Sequence, residues 1–472
     1  MIARRNWMLM AGFIVLGLAV FACGPAATPQ TIVVTSPPVI QIQTSAPIIQ
    51  TVPPVIQVQV VTAVPPTAAP TKPPVGKSIT VAATWGGGER DAFLTVVDAF
   101  TAKTGIAVSF ESMGGGNMGA LLRTRVAGGS PPDVAFESRP GEVAEFANAG
   151  NLVKIDTLVP RADIDAAFNK GYTDLGTFNG SLYGFVWKAN SKSTFWYKPA
   201  SFKALGVTEP KTLDELFVIA DKYKAAGKVP FATGGKSGWP LTDYFENLLI
   251  RVATPQQYND LHVTHKLAWT DPVVIKALTL FTKFFQPGYQ VGETQGVLGT
   301  LFAESIPLFV GPTAKSEMFY EGGFVGVIAT TDVDKTLKPG VDLNFFIFPQ
   351  VDAQYGTPVT GGGDVAIAFK DSPEVRAFMA YIISKEAADL FATTNTISPN
   401  KLLDPTKFPS ILARNEYAQL ANATSFVFDG SDLAPSKIGG DVEPVKLQEL
   451  VTKPADVARI AADIEAAAKT AY

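Results

Sequence analysis

Strand and helix patterns alternate along the chain from residue 78 onward, and this alternation constrains the fold more than any other feature of the sequence. Short β-rich runs are predicted to be strands at 79–84, 107–111 and 133–136, and amphipathic stretches are predicted to be helices at 89–103, 117–127 and 140–149. Alternating strands and helices form a parallel sheet whose two faces are covered by the helices. The sequence therefore predicts an α/β fold.

Polar and aromatic residues follow each of these three strands. The loops at 85–89, 111–116 and 137–139 include Trp85, Glu89 and a glycine triplet at 86–88. In open α/β sheets, ligands bind at the carboxyl ends of the strands, where such loops gather. We therefore expect a polar cleft with an aromatic surface at this edge of the sheet.

The rest of the chain continues with longer helices and further strands. Strands are predicted at 181–187, 193–197, 306–310, 344–348 and 364–369, and helices at 212–226, 241–252, 272–285, 372–384 and 454–471. A chain of 472 residues is too long for one ordinary domain. This order of elements fits two lobes that the chain crosses more than once.

The first 23 residues have the layout of a signal peptide that ends at a cysteine. Arg4 and Arg5 precede a mostly apolar run at 7–22, and Cys23, the only cysteine, follows it. The sequence Val-Phe-Ala-Cys at 20–23 resembles a bacterial lipobox, in which the cysteine thiol carries diacylglycerol. We expect residues 1–22 to be removed and Cys23 to be lipidated, which places the protein outside the cytoplasm and anchored to the cell membrane. The alternative is a plain signal peptide or signal anchor with an incidental cysteine.

Residues 23–77 differ in composition from the rest of the chain. The 54 residues from 24 to 77 contain twelve prolines, and Lys72 and Lys77 are their only charges. Proline at this density removes amide donors and favours an extended polyproline conformation over a packed core. We interpret 23–77 as a semi-stiff tether between the lipid anchor and the body.

Charge and histidine content argue against two classes of function. With 39 basic and 43 acidic side chains the chain has no basic surplus, so nucleic-acid binding has no electrostatic support. The two histidines, His262 and His265, could share a helix face and hold a metal, but no carboxylate or cysteine cluster lies near them in the sequence. We expect neither a metal nor a cofactor.

Nine short motifs follow one another along the body: TGIAV at 104–108, PDVAF at 132–136, YGFV at 183–186, FWYK at 195–198, TLDEL at 212–216, FVGP at 309–312, FIFP at 346–349, GGGD at 361–364 and FDGSD at 428–432. In kind and in order they resemble segments of the extracellular solute-binding proteins of bacterial ABC importers, specifically their maltodextrin and α-glucoside type (family 1). Each motif alone is weak, but their order extends over about 350 residues behind a lipobox.

The resemblance implies a two-lobed fold of the type II periplasmic-binding-protein kind, with two mixed sheets flanked by helices and a hinge of chain crossovers. Crossovers are expected near 188–192, 340 and 370, so that 78–190 with 341–371 form the first lobe and 191–340 with 372–472 the second. A monomer of this kind binds its ligand between the lobes, closes around it, and delivers it to the permease subunits of an importer. The ligand class implied is a carbohydrate.

Sugars present hydroxyl groups and an apolar C–H face, so a sugar site needs aromatic plates and hydrogen-bonding side chains. The expected plates are Trp85, Trp187 and Trp239. The expected hydroxyl partners are Glu89, Glu137, Arg139, Lys188, Asp243 and Asp364, with Asp429 and Asp432 as weaker candidates. Thr313 and Lys315 are added because they stand where the relatives place tryptophans. The alternative roles are core packing for each tryptophan and solvation or helix capping for each carboxylate.

Glycine triplets at 86–88, 114–116 and 361–363 offer a second kind of contact, since glycine lets the backbone approach a ligand closely. Gly362 is the candidate chosen from them, and tight turns are the alternative explanation. Two other functional classes stay open at this point. A secreted glycosidase would need a carboxylate pair about 5–10 Å apart, and a surface adhesin would need no site of this kind. A polyol or glycerol phosphate is the alternative to a sugar ligand.

Overall fold

The computed structural model describes residues 77–114, 118–423 and 425–472, which belong to one compact unit. The expected signal peptide, Cys23, the tether up to residue 76 and part of the glycine triplet at 114–116 lie outside the described residues. No helix within the described ranges is both long enough and apolar enough to cross a bilayer.

Twelve strands are present in the described residues. In chain order they are β1 Ser78–Ala83, β2 Ala107–Ser112, β3 Val134–Glu137, β4 Thr177–Phe178, β5 Ser181–Leu182, β6 Gly184–Ser191, β7 Thr194–Tyr197, β8 Val229–Ala232, β9 Ser316–Tyr320, β10 Asn344–Ile347, β11 Val359–Ala368 and β12 Phe426–Phe428.

The helices surround these strands. In chain order they are α1 Gly87–Thr104, α2 Met118–Ala127, α3 Pro140–Asn148, α4 Arg161–Ala167, α5 Lys170–Asp174, α6 Pro199–Leu205, α7 Leu213–Ala225, α8 Trp239–Ile250, α9 Pro255–His262, α10 Pro272–Thr282, α11 Glu293–Gly299, α12 Phe302–Phe309, α13 Phe324–Ile328, α14 Pro373–Ile382, α15 Lys385–Thr393, α16 Ile411–Ala421, α17 Gly430–Leu433, α18 Glu443–Thr452 and α19 Val457–Ala468.

Two mixed sheets organise the molecule, as expected. The first has the order β12-β11-β3-β1-β2, with β6 also paired to β11, and the second has the order β10-β7-β9-β8. In the first sheet β1 runs parallel to β2 and β3, while β11 runs antiparallel to β3 and β6. In the second sheet β8 and β9 are parallel and the other pairs antiparallel. The predicted α/β fold with two mixed sheets is confirmed.

The first sheet is buried on both faces around β1 and β3, which are apolar at successive positions, whereas its edge strand β2 is partly exposed. Val81 packs with α1, α14 and α15, whereas its neighbour Ala82 packs with α2 and α3 on the opposite face. This follows from the period of two along a strand, which sends adjacent side chains to opposite faces. A separate core of the second sheet is built around Phe195, Phe231 and Tyr320, with α7, α8, α10, α18 and α19 packed against it.

The chain crosses between the two sheets three times. The first crossing follows β6, near the expected residues, but the second lies between β10 and β11 and the third follows β12. Residues 344–347 pair with β7 in the second sheet, because the side chains of β10 extend that sheet's aromatic core at Phe195 and Phe346. Helices α14 and α15 pack on the first sheet through Phe378 and Phe391. The expected lobe ranges, which gave 341–371 to the first lobe and 372–472 to the second, differ from this pairing.

One predicted strand is a helix. Residues 306–310 were expected to form a strand, but the run belongs to α12, where the Glu304 carboxylate accepts a hydrogen bond from the backbone N–H of Leu301. A short apolar run fits a buried strand and a buried helix equally well. The helix starting at the TLDEL segment is, by contrast, as expected: the Thr212 hydroxyl and the Glu215 carboxylate cap α7 reciprocally.

Candidate functional site

Strand β6 carries two buried lysines toward the boundary between the sheets. Lys188 lies on β6 and Lys192 directly after it, where its N–H donates to the carbonyl of Thr360. Even spacing along a strand sends both side chains to the same side. Their side chains are 7% and 10% exposed, so each ammonium group needs partners within the protein.

Lys188 has two carboxylate partners and an indole beside it; these residues are called the Lys188 group. Its Nζ donates to Glu89 Oε1 at 2.8 Å and to Asp364 Oδ2 at 3.2 Å. Trp85 Nε1 donates to the same Asp364 oxygen at 3.2 Å, and its ring lies 5.4 Å from the ammonium. Burial opposes the charge on Lys188, but Asp364 and Glu89 raise its pKa above the ordinary value. Lys188 therefore stays protonated.

Lys192 has a larger set of partners, the Lys192 group. Its Nζ donates to Asp429 and, at 3.1 Å, to Asp243 Oδ1, lies 3.8 Å from Asp432 Oδ2, and is 5.6 Å from the Trp239 ring. Although burial favours the neutral acid, Lys192 holds the pKa of Asp429 below its usual range. Burial and the charge of Asp429 raise the pKa of Asp432 to about 7. Three carboxylates thus share one ammonium group.

The absence of a side chain at Gly362 leaves room for the Lys192 side chain in this position. A Cβ on Gly362 would lie 2.8 Å from Lys192 Cε, a separation that real Cβ contacts do not show. A Cβ on Gly363 would lie 2.5 Å from the Lys188 carbonyl oxygen, and one on Gly361 would lie 2.4 Å from the Phe426 ring. The triplet on β11 therefore makes room for a strand neighbour, an aromatic ring and the lysine side chain.

Arg139 and Glu137 join the Lys192 group through its carboxylates. Arg139 Nη2 donates to the Ser431 carbonyl at 2.8 Å, and Arg139 Nε lies 3.9 Å from Asp432 Oδ1. Glu137 Oε1 accepts a hydrogen bond from the Arg139 N–H at 3.2 Å. Burial, followed by the neighbouring Glu142, raises the pKa of Glu137 well above its ordinary value. Arg139 connects α3 of the first sheet to the turn that follows β12.

The glycine triplet at 86–88 is approached by the protein's own carboxylate. Gly88 N donates to both Asp332 oxygens, at 3.0 and 3.2 Å, and a Cβ on Gly87, which has φ +50°, would lie 2.2 Å from Asp332 Oδ2. Asp332 belongs to a π-helical turn, Ala329–Val333, next to α13. A carboxylate at a helix N-terminus is favourable because it meets free N–H groups and the positive end of the helix dipole. Gly88, in the first turn of α1 and next to Glu89, thus contacts the half of the molecule that contains the second sheet.

Three predicted residues do not join these groups. Trp187 is fully buried in the core, where its Nε1 donates to the Ile382 carbonyl at 2.8 Å and its ring stacks on Phe391, so it has no free face for a ligand. Thr313 and Lys315 are exposed on the loop between α12 and β9, and the Thr313 hydroxyl donates to the Pro307 carbonyl. Trp196 and Trp269 are buried as well.

Sequence reasoning missed Lys192 and Asp332. Lys192 was recognised only as part of a crossover, although a lysine at the end of an apolar strand and four residues after another lysine is a usable signal. Asp243 and Asp429 lie 51 and 237 residues from it in the chain, which no local pattern can connect. Asp332 gives no local signal, since it sits in a polar turn with no recognisable motif.

A pocket of about 420 Å³ opens elsewhere on the surface. It is lined by Ile250, Ala253, Thr254, Pro255, Gln354, Tyr355, Pro358 and Ser425. None of these residues belongs to the Lys188 or Lys192 group, and no buried ionic side chain lines the pocket. The chemistry of the molecule is concentrated between the sheets instead.

Comparison with known sequences points to one family. The model of the bacterial extracellular solute-binding protein family matches residues 86–389. The osmoprotective compounds-binding protein GgtB of Synechocystis is 31% identical over 370 residues, covering 77% of this chain and 86% of that protein. The alpha-glucosides-binding periplasmic protein AglE of Rhizobium meliloti is 30% identical over 378 residues, covering 77% and 81%.

Solved structures agree on the fold. The bacterial solute receptor AcbH, whose description gives an exclusive preference for β-D-galactopyranose, superposes with a TM-score of 0.75 at 21% identity, covering 84% of this chain and 99% of that chain. Maltose-bound MalE3 of T. maritima superposes with a TM-score of 0.68 at 17% identity, covering 84% and 100%. The family match, the similar full-length relatives and the shared two-sheet fold lead to one conclusion: this chain belongs to the bacterial extracellular solute-binding proteins of ABC transporters, which act outside the cytoplasm.

Proposed function

We propose that this protein captures a small neutral carbohydrate between the halves built on its two sheets and delivers it to the permease subunits of an ABC importer. The proposal rests on one observation: the Lys188 and Lys192 groups both lie at the boundary between the sheets. Each combines an ammonium donor, carboxylate acceptors and an indole. The polar groups can bind sugar hydroxyls, and Trp239, which is partly exposed whereas Trp85 is 2% exposed in the first core, is the indole that can meet the apolar face.

The charges of the site favour a neutral ligand over an anionic one. Lys188 faces two carboxylates and Lys192 faces three, so carboxylates outnumber ammonium groups in both sets. A phosphate would find both ammonium groups already bonded to the protein's own carboxyl groups, so neither cation is free to compensate its charge. Glycerol phosphates are therefore disfavoured, whereas sugar hydroxyls can donate to the carboxylates and accept from the lysines.

The names of the similar proteins narrow the sugar class further. AglE is an alpha-glucosides-binding protein, and GgtB binds osmoprotective compounds. We take a small α-glucoside as the ligand class, with Trp239 as the indole whose surface is partly open to it. Long maltodextrins fit less well, because the positions expected to supply further aromatic plates hold Thr313 and Lys315, which lie outside the groups.

Ligand entry requires the two halves to separate. We assign 78–191 with 359–428 to the first lobe and 192–358 with 429–472 to the second, following the strand pairing and the cores. The three crossings between them would serve as the hinge, and the contact between Gly88 and Asp332 would break on opening. A ligand that contacts both lysine groups favours the closed state, because the open state cannot make both sets of contacts.

The N-terminal residues complete the proposal, with 1–22 as a signal peptide that is removed and 23–77 as a lipid-anchored tether. Cys23 follows an apolar run of signal-peptide type, and metabolic labelling with palmitate tests it directly. The wild type should incorporate label and Cys23→Ala should not. An unlabelled wild type would remove the anchor from the proposal while leaving the binding function untouched.

The binding function is tested by thermal shift with the purified protein. The panel comprises α-glucosides such as sucrose, trehalose and maltose, galactose and raffinose, glycosylated polyols, free polyols and glycerol phosphate. A ligand that binds only the native state raises the melting temperature, and we expect this from a neutral saccharide or glycoside but not from glycerol phosphate.

Two variants locate the binding. Asp364→Asn removes the carboxylate shared by Lys188 and Trp85 and should abolish the shift, whereas Asp371→Asn alters an exposed pair with Arg376 and should leave it intact. Recovery of intact sugar after long incubation distinguishes a receptor from a glycosidase. A shift that survives Asp364→Asn, or no shift with any compound, would overturn the proposal.

A further inference from the structure

A second cluster of ionisable groups lies beneath the Lys192 group, at the junction of three helices. Glu246 of α8, His262 of α9 and Glu443 of α18 are all fully buried. Their potential ligand atoms lie within 4.8 Å of one another, and His262 Nε2 is 4.0 Å from Glu443 Oε1. None of the three residues was expected to belong to the sugar site.

The hydrogen bonds of this cluster leave particular atoms without a partner. His262 Nδ1 lies 3.2 Å from the Tyr258 carbonyl, a contact that makes Nδ1 the protonated nitrogen and leaves the lone pair on Nε2. His262 Nε2 and both carboxylate oxygens of Glu443 are buried and make no hydrogen bond. Buried polar atoms of this kind are normally paired, so three unpaired atoms that face one another indicate a missing partner.

Glu246 is oriented by its surroundings. Its Oε2 accepts hydrogen bonds from the Tyr258 hydroxyl and the Gly430 N–H, both at 2.8 Å, and its Oε1 accepts from the Ser431 N–H at 2.9 Å. A histidine bonded to a backbone carbonyl and a carboxylate fixed by several donors are the arrangements that orient metal ligands from outside the coordination sphere. Gly430 also allows close packing, since a Cβ there would lie 2.4 Å from His262 Nδ1.

The side-chain cations near the cluster are occupied by other partners. Lys192 is already shared by Asp243, Asp429 and Asp432, and Arg139 is bonded to the Ser431 carbonyl. Neither cation forms an ion pair with Glu443, so both of its buried oxygens stay open to a metal ion.

We infer that Glu246, His262 and Glu443 bind one divalent transition-metal ion, with Zn²⁺ as the best-suited member of the class. An imidazole nitrogen with two carboxylates is a ligand set that Zn²⁺ accepts, whereas Ca²⁺ and Mg²⁺ take oxygen ligands. The neighbouring carboxylates Asp243 and Asp429 also approach Glu246, but the Lys192 ammonium already lies between them.

The ion would have a structural role linked to the sugar site. It would tie α8, α9 and α18 together directly under the turn that begins at Asp429. Glu246 already holds the N–H groups of Gly430 and Ser431 in that turn, which carries Asp429 and Asp432 toward Lys192. A metal on Glu246 would therefore fix the carboxylates of the Lys192 group.

The test uses untagged full-length protein carrying Cys23→Ser, because a free thiol is itself a zinc ligand. The protein is treated with EDTA, incubated with excess Zn²⁺, freed of unbound metal, and assayed for zinc by mass spectrometry. Co²⁺ loaded in the same way reports a low-symmetry N/O site through its visible d–d absorption. We expect about one equivalent of either metal.

Three substitutions, two of ligands and one as a control, test which residues bind the metal. His262→Gln and Glu443→Gln should each reduce bound zinc at least tenfold and abolish the Co²⁺ absorption, consistent with the loss of a ligand. The control is His265→Gln, which removes the only other histidine; it lies 3.1 Å from Glu465, away from the cluster, and should leave the stoichiometry unchanged. Zinc content that is negligible in the parent protein, or unchanged in both ligand variants, would overturn the inference.

Unfolding of a ligand variant would not decide the matter, so a second measurement uses the parent protein alone. Zn²⁺ should raise its melting temperature in a concentration-dependent manner and EDTA should reverse the rise, whereas Mg²⁺ at the same concentration should have no effect. Equal shifts with Zn²⁺ and Mg²⁺, or none with Zn²⁺, would contradict a site built from these three residues.

Discussion

Lys188 and Lys192 make the same kinds of contact, but with carboxyl groups that differ in exposure. Both ammonium groups lie about the same distance from an indole ring, 5.4 Å for Trp85 and 5.6 Å for Trp239, and both are bonded to carboxylates. They differ in the exposure of those carboxylates. The Glu89 side chain is 20% exposed, whereas those of Asp243 and Asp429 are 0% and 1% exposed.

Because of this difference in exposure, we expect the two groups to have different main roles. Water can still solvate Glu89 when its lysine partner is removed, so the Lys188 group resembles a binding surface that is partly satisfied without a ligand. Asp429 has no such recourse and depends on Lys192 for compensation of its buried charge. Burial raises the pKa of Asp243 well above its ordinary value, so its bond to Lys192 is mainly a hydrogen bond. The Lys192 group therefore contributes to folding as well as to binding, and removal of each lysine separates the two contributions.

The largest effect is expected for Lys192→Met. This substitution keeps the aliphatic volume but leaves the Asp429 carboxylate buried without its cation, and breaking a buried pair in this way costs about 3–5 kcal/mol. Urea unfolding followed by circular dichroism measures the loss. Lys170→Met is the control, because Lys170 is 82% exposed in its pair with Asp174 and should change stability very little. A loss of unfolding free energy no greater than that of the control would mean that Lys192 does not compensate the buried charge of Asp429.

Glu416 of α16 shows what a buried carboxyl group beside the same strand does without a lysine bonded to it. Its Oε1 accepts the Ser191 N–H at 2.9 Å. Burial raises the pKa of Glu416 to about 7, although the Ser191 N–H and the charge of Lys188 act in the opposite direction. Between about pH 4.5 and 7 the native state therefore retains a proton that the unfolded state has released, so the contribution of Glu416 to stability is greatest below about pH 4.5 and is lost as the pH rises to about 7.

Glu416→Gln removes this penalty while keeping an acceptor for Ser191. At pH 8 the variant should be more stable than the wild type by as much as about 3 kcal/mol, since each unit of pKa shift is worth about 1.36 kcal/mol. At pH 4 the two proteins should be nearly equally stable. Denaturant unfolding at both values measures the difference, and a gap that does not change with pH would show that Glu416 titrates normally.

The comparison of the two lysine groups also shows how far sequence reasoning extends. The strands and helices around β1, β2 and β3 were predictable because each element carries its own apolar period and its own boundary signals. Trp85, Glu89 and Asp364 could be proposed as a set because they follow the ends of such strands or lie in a recognisable motif. The Lys188 group was therefore largely predictable.

The Lys192 group was only partly predictable because its members come from distant parts of the chain. Its core joins residues after β6, on α8 and after β12, and β12 returns to the first sheet by a crossing that local pattern does not reveal. The position of β10 is a similar case: its pairing with β7 depends on aromatic contacts across the second sheet rather than on its own sequence. Burial of Trp187 likewise depends on Phe391, over two hundred residues away.

Lys188→Met is expected to have a smaller effect on stability than Lys192→Met. It removes hydrogen bonds to Glu89 and Asp364, and hydrogen bonds to charged groups are worth about 1.5–3 kcal/mol. Glu89 regains water, and Asp364 keeps the Trp85 Nε1 donor, so the cost should lie in the lower part of that range. The same urea series measures it. Equal losses for the two lysine variants would remove the proposed difference between the groups.

The smallest effect, and the one most specific to binding, is expected for Trp239→Ala. The Trp239 ring is only partly buried and touches Phe302 and Phe324 on one side, which leaves an aromatic face available to a ligand. Loss of a stacked aromatic should weaken sugar binding by more than about 1 kcal/mol, or roughly fivefold in Kd, measured by isothermal titration calorimetry. Trp269→Phe is the matched control: its ring is fully buried in the second core, so the substitution should lower stability but leave affinity unchanged. Unaltered affinity in a folded Trp239→Ala would make Trp239 a structural residue, and the Lys192 group would then bind its ligand through polar contacts alone.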